Sequence, residues 1–346
     1  MKAVQARELL TFSSRQQAGS GLRACFVVEG PAVVEVTGQH EVHGYTPPRE
    51  ARLVVPVGRS LIVVGEEGPR VSGGRLLGCD PASLRPLEEI RGSLSRGRNV
   101  VLVGPTDAGK STLASYLYNS GLAELVASFD VGQNELYCPG FAAAASPSRP
   151  LVPGSPDGRS RACLIGDFTP SGVEASYLYC ASRLLRGAQN VVVDTDGWVQ
   201  GEGLVLKADL ALQLDATVVA LGMSEARRDL LAYVSDVVFL PRLAPRSKSR
   251  SERAANRDRL LASCLTGVRR RVVRSDLVVG RPPQGGLEGV LASAVGGGNE
   301  RFAVVERASE PSGTITVLTD YEGEVEAVRI GRARVDLRAF SGLIGR

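Results

Sequence analysis

Histidine is nearly missing from this chain: of 346 residues, only His40 and His43 carry an imidazole. No two cysteines form a CxxC pair and no His/Cys group has zinc-ligand spacing, which argues against a zinc centre. The six cysteines, Cys25, Cys79, Cys138, Cys163, Cys180 and Cys264, are scattered. They read as small buried apolar residues of a reducing cytosol. No uncharged apolar run approaches the ~18 residues of a membrane helix. The start, Met1-Lys2-Ala3-Val4-Gln5-Ala6-Arg7-Glu8, has no apolar signal-peptide core. A cytoplasmic protein without membrane contact is expected. Net charge is small, +4, so a strong electrostatic function has to come from local clusters. Against these absences stand 43% hydrophobic and 23% charged residues, a balance that supplies a substantial core and excludes wholesale disorder.

The rhythm of the chain divides it in three. Residues 1–88 carry short apolar runs such as Ala24–Val28, Ala32–Val36 and Leu61–Val64 between Gly and Pro, the spacing of a small β domain. Residues 89–268 alternate buried strand candidates (Asn99–Val103, Leu125–Phe129, Cys163–Ile165, Asn190–Asp194, Ala216–Ala220, Asp236–Leu240) with helical patterns over Ser111–Asn119, Val173–Leu185 and Glu225–Val234. That alternation predicts an α/β domain with a mostly parallel sheet covered by helices on both faces. Residues 269–346 return to short strands separated by Gly-rich connections, a second small β domain. The Pro147–Gly158 stretch is expected to be a surface loop.

The chemistry is concentrated in the middle segment. Gly104-Pro105-Thr106-Asp107-Ala108-Gly109-Lys110-Ser111-Thr112 matches the phosphate-binding GxxxxGK[ST] pattern between a Val/Leu strand and a helix. Such a loop aims backbone N–H groups at phosphates from a helix N-terminus, and Gly109 permits close approach. Lys110 would neutralise the terminal phosphates and Ser111 would ligate Mg²⁺, so ATP and Mg²⁺ are the expected cofactors. Asp130, in Asp130-Val131-Gly132-Gln133, ends a strand on the ligand-binding edge. It is the candidate for holding the metal and accepting a proton from an attacking hydroxyl, with Gln133 positioning water, metal or substrate. Asp194 ends another strand and is a weaker candidate. Between Arg242 and Arg259, seven basic residues face two acidic ones, and Arg246, Arg250, Arg253 and Arg257 fall on one helical stripe. A self-repelling arginine stripe is relieved by phosphates, which suits a lid helix. The single tryptophan, Trp198, follows a strand end in Thr195-Asp196-Gly197-Trp198, where its ring can stack on a base or brace a loop.

These residues together resemble the polynucleotide 5′-hydroxyl kinases of RNA processing, a family that includes the pre-mRNA cleavage-complex RNA kinase, its nucleolar relative and archaeal homologues. The likeness lies in the Pro105-Thr106-Asp107 insert of the phosphate loop, the Walker B segment Asp130–Gln133, and the Thr-x-Gly-Trp clasp Thr195–Trp198 with Gly201 and Gly203. The Arg-x-x-x-Arg lid Arg253–Arg257 completes the central set, and Gly166-Asp167-Phe168-Thr169-Pro170 and Gly38–Gly44 resemble further family segments. The resemblance is strong over the middle and weak over the flanks. It implies transfer of the ATP γ-phosphate to the 5′-hydroxyl of RNA, with DNA as an alternative acceptor. Residues Gly104, Thr106–Gly109, Lys110, Ser111 and Thr112 would hold the nucleotide. Ser111 and Asp130 would hold the metal, and Gln133, Thr195, Gly197 and Trp198 the acceptor. Lys110, Asp130, Arg253 and Arg257 would carry catalysis. The N-terminal domain would contribute to base binding. One departure stands out: many members carry an acid where this chain has Ser128.

Two other function classes stay open on the sequence alone. One is an ATP-binding structural subunit of an RNA-processing complex with little or no kinase activity, which a degraded lid or clasp would favour; both are present. The other is a regulatory GTPase, which needs an Asn/Thr-Lys-x-Asp motif that the chain lacks. RNA against DNA preference, strandedness of the ends, pathway and oligomeric state are not legible.

Overall fold

The structure, a computed structural model, describes residues 23–94, 97–152, 154, 160–243, 248–309 and 312–343. It divides into two units. One takes in the chain up to Arg96 with Ser111–Ala123 and Pro147–Pro156, and the other comprises Gly97–Lys110, Glu124–Ser146 and Asp157–Arg346.

In the first unit, β1 (Ala24–Val36), β2 (Glu41–Val42), β3 (Ala51–Val55), β4 (Ser60–Gly65) and β5 (Arg70–Cys79) form one sheet. β1 is long enough to serve two neighbours on one side. Its first half pairs with β4 and its second half with β3, while β5 runs along both. The register shifts between Glu29 and Ala32, at Gly30-Pro31, where proline cannot donate to the ladder. Val28, Val34, Val36, Val55, Leu61 and Val63 form the core of this unit. Helix α1 (Arg85–Ser93) follows. The Pro147–Gly158 stretch, expected to be a surface loop inside the central domain, is instead anchored in this first unit over its described part. The Asn119 amide bonds both the N–H and the carbonyl of Leu151, and Val152 joins the β core.

In the second unit, β6 (Asn99–Val103) leads into the phosphate loop; helix α2 (Lys110–Asn119), which follows the loop, belongs to the first unit from Ser111 onward. Then come β7 (Leu125–Phe129), β8 (Phe141–Ala145), β9 (Arg161–Leu164), α3 (Glu174–Leu185), β10 (Val191–Thr195), α4 (Glu202–Gln213), β11 (Ala216–Leu221), α5 (Arg227–Leu231), β12 (Val237–Leu240) and α6 (Arg250–Leu265). The sheet order is β12-β11-β6-β10-β7-β8-β9. Its first five strands are parallel, and the Val/Leu-rich sequences of β11, β6, β10 and β7 are buried nearly throughout, as expected of strands covered on both faces, while the edge strand β12 is only partly buried. β8 and β9 are antiparallel, so the sheet is mixed at that end and mostly parallel as expected. A third sheet, β13 (Arg269–Arg274), β14 (Val278–Val279), β15 (Val290–Gly296), β16 (Asn299–Ser309), β17 (Thr314–Thr319) and β18 (Ala327–Arg334), has the order β13-β17-β16-β15-β18-β14. No described helix is long and apolar enough to cross a membrane.

The cysteines correct an expectation. All six are paired, as Cys25–Cys79, Cys138–Cys264 and Cys163–Cys180, rather than standing as separate buried thiols. Cys25 and Cys79 are register partners on neighbouring strands, and the Cα–Cα separations of 5.0, 6.1 and 5.5 Å lie in the bridging range.

Candidate active site

The phosphate loop owes its shape to a few positions. Asp107 and Gly109 have left-handed backbones, with φ of +57° and +99°. Aspartate tolerates that region and glycine adopts it freely. Gly104 is required for a different reason: a Cβ there would stand 2.5 Å from the carbonyl oxygen of Leu221, the last residue of β11. Lys110, the first residue of α2, is buried and its ammonium donates to the carbonyls of Gly104 at 2.7 Å and Pro105 at 3.0 Å. Ser111 and Thr112 continue the first turn of α2.

Because β7 and β10 run parallel and in register, Phe129 pairs with Thr195, and the segments leaving both strands emerge at the same edge. Asp130 is the residue after Phe129. Its Oδ1 accepts the N–H groups of Gly132 at 3.2 Å and Gln133 at 3.0 Å, which fixes the carboxyl's rotation. Burial raises its pKa to about 6, the nearby Asp196 carboxylate adds to this, and Lys110 opposes it. At neutral pH the group is therefore mostly ionised yet close to proton exchange. Ser128, at the position where an acid is expected in the resembled family, faces Asp194 of β10 across the ladder. The neighbouring strand thus supplies a carboxylate at the same level.

On β10, Thr195 Oγ1 donates to the Leu102 carbonyl at 2.7 Å, tying the clasp to β6. A Cβ on Gly197 would lie 2.6 Å from the Thr106 nitrogen, so this glycine lets the clasp press against the phosphate loop. A Cβ on Gly203 would lie 2.5 Å from the Trp198 ring. Both glycines are therefore steric requirements of the arrangement.

Helix α6 begins at Arg250, because Ser249 caps it and exchanges capping-box bonds with Glu252. Arg246, the first residue of the expected stripe, lies outside the described residues. Arg253 Nη1 reaches Asp107 Oδ2 at 3.1 Å and the Lys248 carbonyl at 2.6 Å. The Lys248 N–H also donates to Asp107 Oδ2, at 2.8 Å. Arg257 stacks over Phe168 at 5.1 Å from the ring centroid. Gln133 is engaged by the same helix at both ends of its amide: it donates to the Arg253 carbonyl and accepts from Asn256. Sequence reasoning missed three contributors. Arg242 donates to the Thr106 and Asp107 carbonyls, Asn256 holds Gln133, and Lys207 pairs with Asp196 inside the core. Asn256 sits inside the lid motif itself, which is the one signal that could have exposed it.

In the first unit, Gly38–Gly44 packs on α2: a Cβ on Gly44 would stand 3.0 Å from Tyr116 Cε2. His43 is buried, and burial lowers its pKa to about 4, with the Thr112 main chain opposing in part.

Residues 104–265 match the family model described as mRNA cleavage and polyadenylation factor CLP1 P-loop. Among curated proteins, the chain is similar to a polyribonucleotide 5′-hydroxyl-kinase Clp1 of Danio rerio, at 30% identity over 42% of this chain and 38% of that protein. It is also similar to a Clp1 of Xenopus tropicalis with the same description, at 29% identity over 49% of this chain and 44% of that protein. A CLP1 homologue of Arabidopsis thaliana matches at 31% over 36% and 32%. The chain thus matches less than half the length of these relatives. Two structures of Clp1p with Pcf11p share the fold, at TM-scores of 0.60 and 0.62 and 14% identity, covering 91% of this chain and 99% of theirs. The 104–265 segment is accordingly a homologue of the CLP1-type P-loop, on a Clp1-like fold.

Proposed function

We propose that this protein is an ATP-dependent polynucleotide kinase that phosphorylates the 5′-hydroxyl end of RNA, with DNA ends as the alternative acceptor. The observation that carries the reading is the convergence at one sheet edge of Lys110, Asp130, the Thr195–Trp198 clasp and Arg253, the last bonded to the phosphate loop through Asp107. The names of the Danio rerio and Xenopus tropicalis relatives support the same reaction.

The residues suit a magnesium nucleotide. Asp107 and Gly109 give the loop its left-handed turns, Lys110 brings an ammonium to it, and α2 starts beside it, the arrangement in which backbone N–H groups can bind phosphate. No group of three His, Cys, Asp or Glu among the described residues forms a metal cage. Ser111 and Asp130 would share a divalent ion with the phosphates, and Mg²⁺ held there would supply charge neutralisation at the transferring group. Asp130 accepts the proton as the 5′-oxygen attacks the γ-phosphorus and the bond to the ADP oxygen breaks. Lys110 and Arg253 stabilise the charge spread over the phosphoryl oxygens, Arg257 extends the basic helix, and Trp198 packs on the terminal base.

The test is transfer of label from γ-labelled ATP to an oligoribonucleotide with a free 5′-hydroxyl, alongside a matched deoxyribonucleotide. Native protein transfers label, and Lys110→Ala and Asp130→Ala do not. ATP binding with no transfer to either acceptor would leave the structural-subunit reading in its place. That second reading draws on the two Clp1p structures, which are complexes with Pcf11p.

A further inference from the structure

The clasp rests on a buried charge that the reaction does not use. Lys207 projects from α4 and its side chain is wholly inaccessible. Its ammonium meets Asp196 Oδ2 at 2.5 Å. The other oxygen of that carboxylate accepts the Trp198 N–H at 2.8 Å. The ammonium also stands 5.1 Å from the Tyr177 ring centroid and 5.9 Å from that of Trp198. Tyr177 in turn packs against Phe129, the residue before Asp130, at 5.1 Å. One ammonium thus touches the supports of both the clasp and the Walker B strand.

Packing alone does not call for a lysine here. Neighbouring positions of α4 are filled by Leu204, Leu206, Ala208 and Leu210, and a buried ion pair is often no more stable than an apolar pair of similar volume. What the pair adds is direction. A single carboxylate bonded at one oxygen to the amide of residue 198 and at the other to a helix-borne ammonium fixes the height and turn of Thr195–Trp198. Apolar contacts tolerate sliding; these bonds do not. Gly203, on the same helix, removes the Cβ that would displace the ring.

We propose that Lys207 is a positioning residue for the acceptor clamp, holding the Trp198 ring through Asp196 in the pose that stacks on the terminal base of a polynucleotide. This inference rests on the kinase reading for the identity of the acceptor. The placement of Trp198 itself is independent of that reading.

Trp198 is the only tryptophan in the chain, so intrinsic tryptophan emission reports on this site alone. The experiment uses full-length Lys207→Met and the double variant Lys207→Met/Asp196→Asn, which leaves no unpaired charge in the core. Both are read by acrylamide quenching of Trp198, by Kd for ATP and by KM for a 5′-hydroxyl oligoribonucleotide. We expect quenching to rise about twofold and acceptor KM about tenfold, the scale of a misplacement near 1 Å or less, with Kd for ATP unchanged within about threefold. Unchanged Trp198 quenching in a variant whose circular dichroism remains native overturns the proposal, as does an ATP Kd that worsens as much as the acceptor KM. If the native chain transfers no phosphate, the kinase reading fails. Quenching, and oligonucleotide titration of Trp198 emission, then decide the positioning role alone.

Discussion

Asp107 of the phosphate loop and Arg253 of helix α6 meet at 3.1 Å, joining the phosphate loop directly to the basic helix. The contact is partly buried, and Arg253 is held a second time by the Lys248 carbonyl. On the proposed kinase reading, this arginine stabilises the transferring phosphoryl group together with Lys110. Charge neutralisation by such an arginine is worth about a thousandfold or more in turnover, so Arg253→Ala is expected to cut label transfer by about that factor. Asp107→Asn keeps a residue that tolerates the left-handed backbone and removes only the charge. It should lower turnover about tenfold, the scale of one charge-assisted hydrogen bond, while Arg253 stays anchored through Lys248. Single-turnover transfer beside equilibrium ATP binding separates the two effects. Equal losses in binding and transfer for Arg253→Ala would reduce it to an ordinary phosphate contact.

The clasp glycines make a paired prediction. Gly197→Ala places a methyl group against Thr106 Cγ2 and 2.6 Å from the Thr106 backbone nitrogen, so the phosphate loop or the clasp has to move. Overpacking of this kind costs about 1–3 kcal/mol, and ATP affinity should fall about tenfold. Gly203→Ala meets the Trp198 ring at 2.5 Å and no part of the loop. It should shift tryptophan emission and raise acceptor KM while leaving ATP affinity nearly intact. Isothermal titration with ATP and emission spectra of both variants check the split.

Legibility in the sequence depends on where the physical signal lies. The Val/Leu runs of β6 and β7 announce themselves with the residue bounds seen, and the phosphate loop is punctuated by glycines whose steric reasons the structure supplies. Strand β8 escapes because Phe141-Ala142-Ala143-Ala144-Ala145 favours helix locally; its total burial between β7 and β9 overrides that preference. Helix α4 escapes for the opposite reason. It is buried on several sides and shows little amphipathic period, which also hid Lys207. Arg253 is legible as a basic helical residue, but its partner Asp107, 146 positions away, is not. Disulfide connectivity is not encoded in spacing at all.

His43 gives the first unit a pH dependence with a definite sign. Its ring is buried and its pKa falls from 6.5 to about 4, chiefly through burial. Below pH 6.5 the unfolded chain takes up a proton that the folded chain resists. The associated stability is thus complete above 6.5 and is lost progressively as pH falls to about 4. The full swing is about 3 kcal/mol. His43 has a left-handed backbone, φ +43°, so His43→Asn removes the titration without imposing a disfavoured conformation. Urea unfolding of the full chain at pH 7 and pH 4.5 should show a smaller acid loss in the variant. An equal loss in both would place the acid sensitivity elsewhere.

The cross-link between Cys138 and Cys264 closes 126 residues and ties the last turn of α6, the helix that carries Arg253, to the segment after Asp130. Cys163–Cys180 closes only 17 residues, between β9 and α3. In the chain-entropy account the longer closure stabilises more, roughly 5 against 3 kcal/mol, with measured values commonly nearer 2–4 kcal/mol. Cys138→Ser/Cys264→Ser should therefore lower the unfolding midpoint by roughly 5–10 °C, and Cys163→Ser/Cys180→Ser by less. Thiol titration of native protein under denaturing, non-reducing conditions should find no free thiol, and six after reduction. Six reactive thiols before reduction would return the cysteines to the role of small buried apolar residues. A midpoint that falls as far for the 17-residue closure would remove loop length as the cause.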